Sequence, residues 1–263
     1  MIPNTLLDWL PLWVILVGTV LLALLAIELG FRLGRAWQHF THVEKEGPVG
    51  AIAAAVLGLL AFLLAFLTGM ALQRFDNQRA LVVDEANAIS TAFLYAGFID
   101  QPTRTEARVL LREYVELRLA AFEGTVQLGQ ARARSEEIQY ALWRQAEPLA
   151  RADSQSATLP LYVEALNDMI NVHNQRVMAV VSSRLPGDLW LGIYVVAMLS
   201  MALIGIQTSY SERRNWLTLI VLVVVFSLVL ALIVDLDRPT EGVLVVSQQA
   251  LQDLQAQMKA VMP

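Results

Sequence analysis

The chain has 263 residues, of which 56% are hydrophobic and only 16% are charged, and its mean hydropathy is +0.53. This balance excludes an ordinary soluble globular protein, and a net charge of −5 argues against nucleic acid as a partner. Because the sequence has no cysteine, disulfides, thiolate nucleophiles and cysteine-ligated metals are excluded as well.

Four uncharged apolar runs account for the hydrophobic excess. Each is close to the roughly 20 residues that a helix needs to cross the hydrocarbon core of a bilayer. The runs are Trp9–Ile27, Val49–Leu72, Leu189–Ile206 and Trp216–Val234. Since the strands of membrane β-barrels are far shorter, we expect an all-α protein with four transmembrane helices and the lipid bilayer as a partner.

These runs divide the chain into five parts. The parts are 1–48 with the first span and a loop, 49–72 with the second span, 73–188 as a soluble helical bundle, 189–234 with the third and fourth spans, and 235–263 as a C-terminal amphipathic helix. The second span is expected to continue as one long helix to about Ile99, because apolar residues recur there at a helical spacing.

Loop charges predict the orientation in the membrane. The loop after the first span carries Arg32, Arg35 and Lys45, and the loop before the fourth span carries Arg213 and Arg214, whereas the N-terminal tail carries neither lysine nor arginine. By the positive-inside rule, both loops are expected in the cytoplasm of a bacterial inner membrane. The termini and the bundle are then expected in the periplasm.

The second span carries small residues three or four positions apart. They are Ala51, Ala54, Gly58, Ala61, Ala65 and Gly69. Small residues let helices approach closely in lipid. This stripe therefore either packs against another span of the same chain, or it packs against neighbouring subunits or lines a central axis. Phe62 and Phe66, one turn apart, either face lipid or form a hydrophobic constriction. A homo-oligomer is therefore one of our expectations.

Charged residues follow the second and the fourth spans on the same side of the membrane. They are Arg74, Asp76, Arg79, Asp84 and Glu85 after the second span, and Asp235, Asp237 and Arg238 after the fourth. Pairing of carboxylates with guanidinium groups is expected between the two groups, with Arg74 or Arg79 as the partner. Two interpretations stay open, a structural clamp at the headgroup level and an ion-selecting vestibule.

The segment between the second and third spans reads as helices throughout. Thr103 and Glu106 have the spacing of a capping box after Pro102, a shorter helix is expected over residues 135–150, and a last one over 160–184. In that last helix His173 shares a face with apolar residues, which predicts a buried, hydrogen-bonded side chain or a pH-sensitive one.

The C-terminal segment holds one more amphipathic helix. Pro239 forbids a smooth continuation of the fourth span, so this helix either turns back along the membrane or packs on the bundle.

Catalytic and metal-binding patterns are few. His39 and His42 have helical spacing near Glu44 and Glu46, which fits a solvated loop better than a metal site. The sequence contains no glycine-rich phosphate loop, no H-E-x-x-H and no G-x-S-x-G. We therefore expect no enzyme, no metal and no cofactor.

Two short motifs carry a resemblance to a known family. The run Glu-Ala-Asn-Ala-Ile at 85–89 and the run Asp-Arg-Pro at 237–239, with Gly242 after it, resemble the bestrophin-like family of bacterial and plastid membrane proteins. Thr240 stands where that family has an aromatic residue. The segment 165–180 is also similar, so the likeness covers nearly the whole chain.

This resemblance implies kinship with bestrophins, which are pentameric anion channels with two membrane hairpins separated by a helical domain. It therefore implies a channel-like protein that conducts ions, and anions in particular. In bestrophins the helical domain is cytosolic, opposite to the orientation that the loop charges predict. The alternative is a non-conducting sensor or scaffold whose bundle binds a partner or ligand.

Overall fold

The computed structural model describes residues 10–40, 46–152, 155–182, 185–211, 214–238 and 242–261. In these residues the chain forms eight α-helices and no strand, which confirms the all-α prediction. The helices are α1 (Leu12–Phe40), α2 (Glu46–Tyr95), α3 (Thr103–Phe122), α4 (Leu128–Ala152), α5 (Leu159–Ser182), α6 (Gly187–Ser209), α7 (Trp216–Leu236) and α8 (Gln249–Val261).

Two compact units make up the chain. Unit 1 comprises Met1–Phe75 and Arg184–Leu244, and unit 2 comprises Asp76–Ser183 and Val245–Pro263. Helices α1, α2, α6 and α7 are long and apolar enough to cross a membrane, which agrees with the four predicted spans. The prediction that α2 continues far beyond its apolar run is also confirmed, since it is a single helix of 50 residues.

The first helix is longer than its apolar run. We predicted a loop from residue 28 onward, and this is wrong, because α1 continues through Phe40. Arg32 Nε donates a hydrogen bond to Glu28 Oε1 at 2.9 Å, one turn earlier. Polar residues with such pairs remain helical outside the hydrocarbon core, so the end of an apolar run does not mark the end of a helix.

In unit 1, α1 lies against α6 and α7, and its contact with α6 is unusually close. A Cβ atom on Gly30 would lie 2.0 Å from the carbonyl oxygen of Ala202, and one on Gly205 would lie 2.1 Å from that of Ile27. Gly34 and Ser209, each one turn further along, continue the same contact. Only residues without a side chain permit the two backbones to approach this closely, which is the geometry of small-residue packing in membranes.

Apolar side chains from all four long helices fill the core of unit 1. Among the most deeply buried are Ile27, Leu60, Met201, Val223 and Leu230. Two polar pairs add to the α1–α6 contact: Thr19 Oγ1 and Tyr194 OH are 3.0 Å apart, and Gln38 Nε2 donates to Ser209 Oγ at 3.0 Å.

Unit 2 is a helical bundle built on α3. Helix α3 packs against α4 and α8, and α4 packs against α5. Its core includes Ile89, Leu111, Ile138, Leu142 and Leu166. Of the two alternatives for the C-terminal helix, packing on the bundle is the one observed, with Leu251, Leu254 and Met258 buried.

Two local predictions in unit 2 are wrong. The first is the capping box: Pro102 is the N-cap of α3 and Thr103 is already helical, so the Thr103 side chain caps nothing. The first turn is held instead by Arg104, whose Nε donates to the carbonyl of Ile99 at 2.8 Å.

The second wrong prediction is the start of α4, which begins at Leu128 rather than Ser135. Gly124, with φ of +74°, ends α3 in the left-handed conformation that glycine adopts readily, and a turn leads directly into α4. The ion pair of Arg132 with Glu136, at 2.9 Å, supports this additional length.

Candidate functional site

The small-residue stripe of α2 faces away from the other helices of the chain. All six of its residues are exposed, and a Cβ atom on Gly58 or Gly69 would meet no atom within 4 Å. The opposite side of the helix is buried, with Leu60 and Leu67 each only 2% exposed. Packing of the stripe inside the same chain, one of the two alternatives, is therefore not observed.

Two large apolar side chains share this outward side. Phe62 is 67% exposed and Phe66 is 60% exposed. Exposure to this degree is compatible with lipid, with a neighbouring subunit and with a pore, and the distinction depends on assembly.

The carboxylate of Asp237 connects the end of α7 to the start of α6 and to α2. The backbone N–H of Leu185 donates to both of its oxygens, at 3.0 and 3.2 Å. Arg74 Nη1 lies 3.8 Å from Oδ1, so Arg74, one of the two predicted partners, forms an ion pair with this carboxylate. Because one backbone N–H and a guanidinium share this carboxylate, Asp237 has the contacts of a structural clamp.

Asp235 holds the chain that follows α7. It accepts hydrogen bonds from the backbone N–H groups of Val243 at 2.9 Å and Leu244 at 3.0 Å. A Cβ atom on Gly242 would lie 2.1 Å from Asp235 Oδ1, which explains the glycine of the motif. Arg238 Nη1 donates to the carbonyl of Leu10, so the motif also holds the chain before α1.

The remaining charged residues of the predicted cluster are not part of this clamp. Asp76, Arg79 and Asp84 are exposed on α2. Glu85 is completely buried within unit 2. We had expected it at the headgroup level, so this part of the prediction is wrong.

Glu85 is the centre of a buried ion cluster in unit 2. Arg176 Nη1 donates to Oε2, and Tyr114 OH donates to Oε1 at 2.9 Å. Arg118 Nε forms an ion pair with Oε1 at 3.1 Å, although its N–H is not directed as in a hydrogen bond. One carboxylate thus connects α2 to α3 and α5 and is the shared counter-charge of the two buried guanidiniums.

His173 extends this cluster, and its Nδ1 lies 2.8 Å from Tyr114 OH. Since the tyrosine proton goes to the Glu85 carboxylate, we assign the Nδ1 proton to His173, which then donates to the phenolic oxygen. The prediction that His173 is buried and hydrogen-bonded is confirmed. Burial, followed by the nearby Arg118 charge, lowers the pKa of His173 to about 4, and burial raises that of Tyr114.

Sequence reasoning missed two of the cluster residues. These residues are Tyr114 and Arg118, and both lie on α3. Their spacing of four residues on α3 places them one turn apart, but nothing in that spacing identifies Glu85 as the common partner, because the contact joins residues far apart in the chain.

In the part of the chain that the structure describes, no group of three His, Asp or Glu side chains is placed to hold a metal ion. His42 lies outside the described residues, so the geometry of the His39–His42 pair is not part of this description.

Comparison with known proteins identifies the family. A family model for the bestrophin-like domain matches residues 17–251. The chain belongs to the bestrophin-like family. No curated protein matches it. Both motifs on which the resemblance was based make tertiary contacts in this bestrophin-like protein. The first motif contributes Glu85 to the buried ion cluster, and the second contributes Asp237 and Arg238 to contacts at the end of α7.

Solved structures share the fold of this bestrophin-like protein. A crystal structure of a membrane protein has a TM-score of 0.63 and 14% sequence identity, and the match covers 95% of this chain and 97% of that one. A bacterial bestrophin homolog from Klebsiella pneumoniae has a TM-score of 0.58 and 15% identity, with 95% and 99% coverage. At this identity the likeness concerns the fold alone.

Acid is expected to destabilise unit 2 through His173. The imidazole has a pKa of about 4 in the folded chain and 6.5 as its ordinary value, so between these values the unfolded chain binds a proton that the folded chain does not. The free energy of unfolding should therefore fall as the pH falls from about 6.5 to about 4, by up to about 1.4 kcal/mol per pH unit. Thermal unfolding measured across this range tests the prediction.

His173→Gln is the control for this titration, since glutamine keeps a polar side chain but has no proton to bind. Glu85, Arg118 and Arg176 surround the imidazole, and Glu136 acts on it electrostatically. Because those groups stay in both proteins, the difference between wild type and variant isolates His173. An identical pH dependence in both proteins would contradict the prediction.

Proposed function

We propose that this bestrophin-like protein is a homo-oligomeric ion channel in which α2 lines the central path. The observation that carries the proposal is the outward stripe of α2, where small residues and two phenylalanines are exposed although the opposite side is packed. An apolar helix that leaves its small residues exposed is suited to close contact with copies of itself. Anion conduction is the more specific part of the proposal and follows from the family resemblance.

Phe62 and Phe66 are proposed as the hydrophobic constriction of that path. Their rings are the bulkiest side chains of the outward side, and a narrow apolar ring excludes water and ions until it widens.

Substitution of the stripe tests assembly and conduction together. We expect Gly58→Leu to weaken the oligomer, because overpacking where helices meet costs about 1–3 kcal/mol. Gly192→Leu on α6 is the matched control, since that glycine is also exposed and a Cβ atom there meets nothing within 4 Å. Subunit counting in detergent and recording in planar bilayers are the measurements. An unchanged oligomer in Gly58→Leu, or an oligomer without conductance, would contradict the proposal.

The alternative function is a non-conducting sensor or scaffold, and one feature of unit 2 favours it. A pocket of about 550 Å³ lies at the turn between α4 and α5, lined by Trp143, Leu159, Pro160, Val163, Glu164 and Asn167. Its size is within the range of small-molecule sites. Absence of conductance in intact oligomers would favour this function.

We propose that the protein resides in a bacterial inner membrane, with unit 2 and both termini in the periplasm. The support is the excess of arginine in the two short connections between apolar runs, with Arg32 and Arg35 on the polar end of α1 and Arg213 and Arg214 before the fourth run. Single cysteines at Gln127 and Gln38, in a chain without native cysteine, should differ in intact cells: a membrane-impermeant maleimide should label Gln127→Cys and spare Gln38→Cys. The reverse labelling would place unit 2 in the cytosol.

A further inference from the structure

An arginine cluster lies where α1 extends beyond its apolar run. Arg32 Nε and Arg214 Nη1 donate to the two carboxylate oxygens of Glu28, at 2.9 and 2.7 Å. Arg35 makes no ion pair with any residue that the structure describes. Two guanidiniums therefore share one carboxylate, and with Arg35 the described residues of the cluster have a surplus of two positive charges.

Aromatic rings hold this cluster together. The Cζ atom of Arg35 lies 5.0 Å from the ring centroid of Phe31, and that of Arg214 lies 4.6 Å from the same centroid. The two charges are consequently within about 10 Å of each other. Arg214 also lies 3.9 Å from the Trp216 ring, so its position is fixed by Glu28 and by two aromatic rings.

The exposed stripe of α1 places the cluster at the depth of lipid headgroups. Every fourth residue on this stripe is apolar and at least half exposed, namely Trp13, Val17, Leu21, Leu25, Leu29, Leu33 and Trp37. The two tryptophans are separated by about 36 Å of helix, which matches the hydrocarbon core and the inner part of both headgroup layers. Arg32 and Arg35 lie within about one and a half turns of Trp37.

We propose that Arg32, Arg35 and Arg214 bind the headgroup phosphate of one anionic phospholipid. Arg32 and Arg35 are exposed and have N–H groups without a hydrogen-bond partner among the described residues, so these groups can donate to phosphate oxygens, while the fixed Arg214 adds positive potential. The leucines of the stripe lead directly to the cluster and provide the contact for acyl chains. This continuity of apolar and basic surface distinguishes a lipid from a free phosphate ion.

Binding of short-chain phosphatidylglycerol and phosphatidylcholine to the full chain in detergent, measured by native mass spectrometry, tests the proposal. Wild type should prefer phosphatidylglycerol. Each arginine near the surface contributes about fivefold, so Arg35→Gln should lower the preference about fivefold and Arg32→Gln/Arg35→Gln should lower it further. Arg35 makes no ion pair with a described residue, so its single variant remains informative if the double variant folds poorly.

The control is Arg132→Gln/Arg151→Gln, which removes two exposed arginines of α4 that also pair with glutamates one turn away. It has the same change in net charge and should keep the wild-type preference. An equal loss in the control, or an unchanged preference in the Arg35→Gln variant, overturns the proposal. So does displacement of the lipid by an equal concentration of inorganic phosphate, which would indicate a site for a free anion.

Discussion

Replacing Gly205 with alanine is expected to destabilise the contact of α6 with α1 strongly. The added Cβ would lie 2.1 Å from the Ile27 carbonyl oxygen and 2.8 Å from the Phe31 nitrogen, and neither backbone atom can rotate away. The helices must separate, and the surrounding side chains then lose packing contacts, which costs about 1–3 kcal/mol. We expect a value of about 3 kcal/mol, because the atoms that the new Cβ would meet belong to the backbone. Unfolding in a denaturing-detergent titration measures this cost.

Gly192→Ala is the matched control for Gly205→Ala. It lies on the same helix, and a Cβ atom there meets nothing within 4 Å. Because alanine favours a helix more than glycine does, this control should be neutral or slightly stabilising. Equal stability of the two variants would show that the backbones of α1 and α6 are not in direct contact at Gly205.

Glu85→Gln is expected to have the largest effect in unit 2. Glutamine has nearly the same shape, but it leaves the guanidiniums of Arg118 and Arg176, each only 14% exposed, without a compensating charge. Removing one partner of a buried ion pair costs about 3–5 kcal/mol. Hydrogen exchange of peptides from α3 and α5 measures the effect locally, which is appropriate because a chain of two units need not unfold in one step.

Two further variants test the explanation for Glu85. Glu136→Gln removes an exposed partner of Arg132 and should cost less than about 1 kcal/mol. Glu85→Gln/Arg118→Gln leaves one guanidinium without a counter-charge, whereas Glu85→Gln leaves two, so the double variant should be more stable than the sum of the two single changes predicts. Additive losses would mean that the charges of the cluster do not interact.

Apolar runs predicted the membrane helices well because the requirement is local. A span must satisfy its own backbone hydrogen bonds and present apolar side chains to lipid, and both conditions are visible in some 20 consecutive residues. The ends of helices were predicted less well. At Thr103 and Leu128 the boundary depends on a turn and on bonds to residues outside the helix, such as that of Arg104 to Ile99.

The charged residues after the second and fourth spans were predicted to form one cluster. Only the tertiary structure shows that they belong to separate sets of contacts. Asp237 forms an ion pair with Arg74, whereas Glu85, eleven residues after Arg74 on the same helix, belongs to a separate set of contacts. A helical spacing tells which residues share a face, and it cannot tell which part of the chain covers that face. Glu85 is joined to Arg176 by a contact across 91 residues.

The sequence by itself determined the membrane class, the four apolar helices, the long second helix and the helical nature of the segment between the spans. These properties follow from composition and from periodicity within single helices. Tertiary structure decided that Gly30 and Gly205 face each other, that the stripe of α2 points outward and that Glu85 is buried between two arginines. Each of these depends on which helices meet, and such contacts arise from packing of the whole chain, which no local pattern encodes.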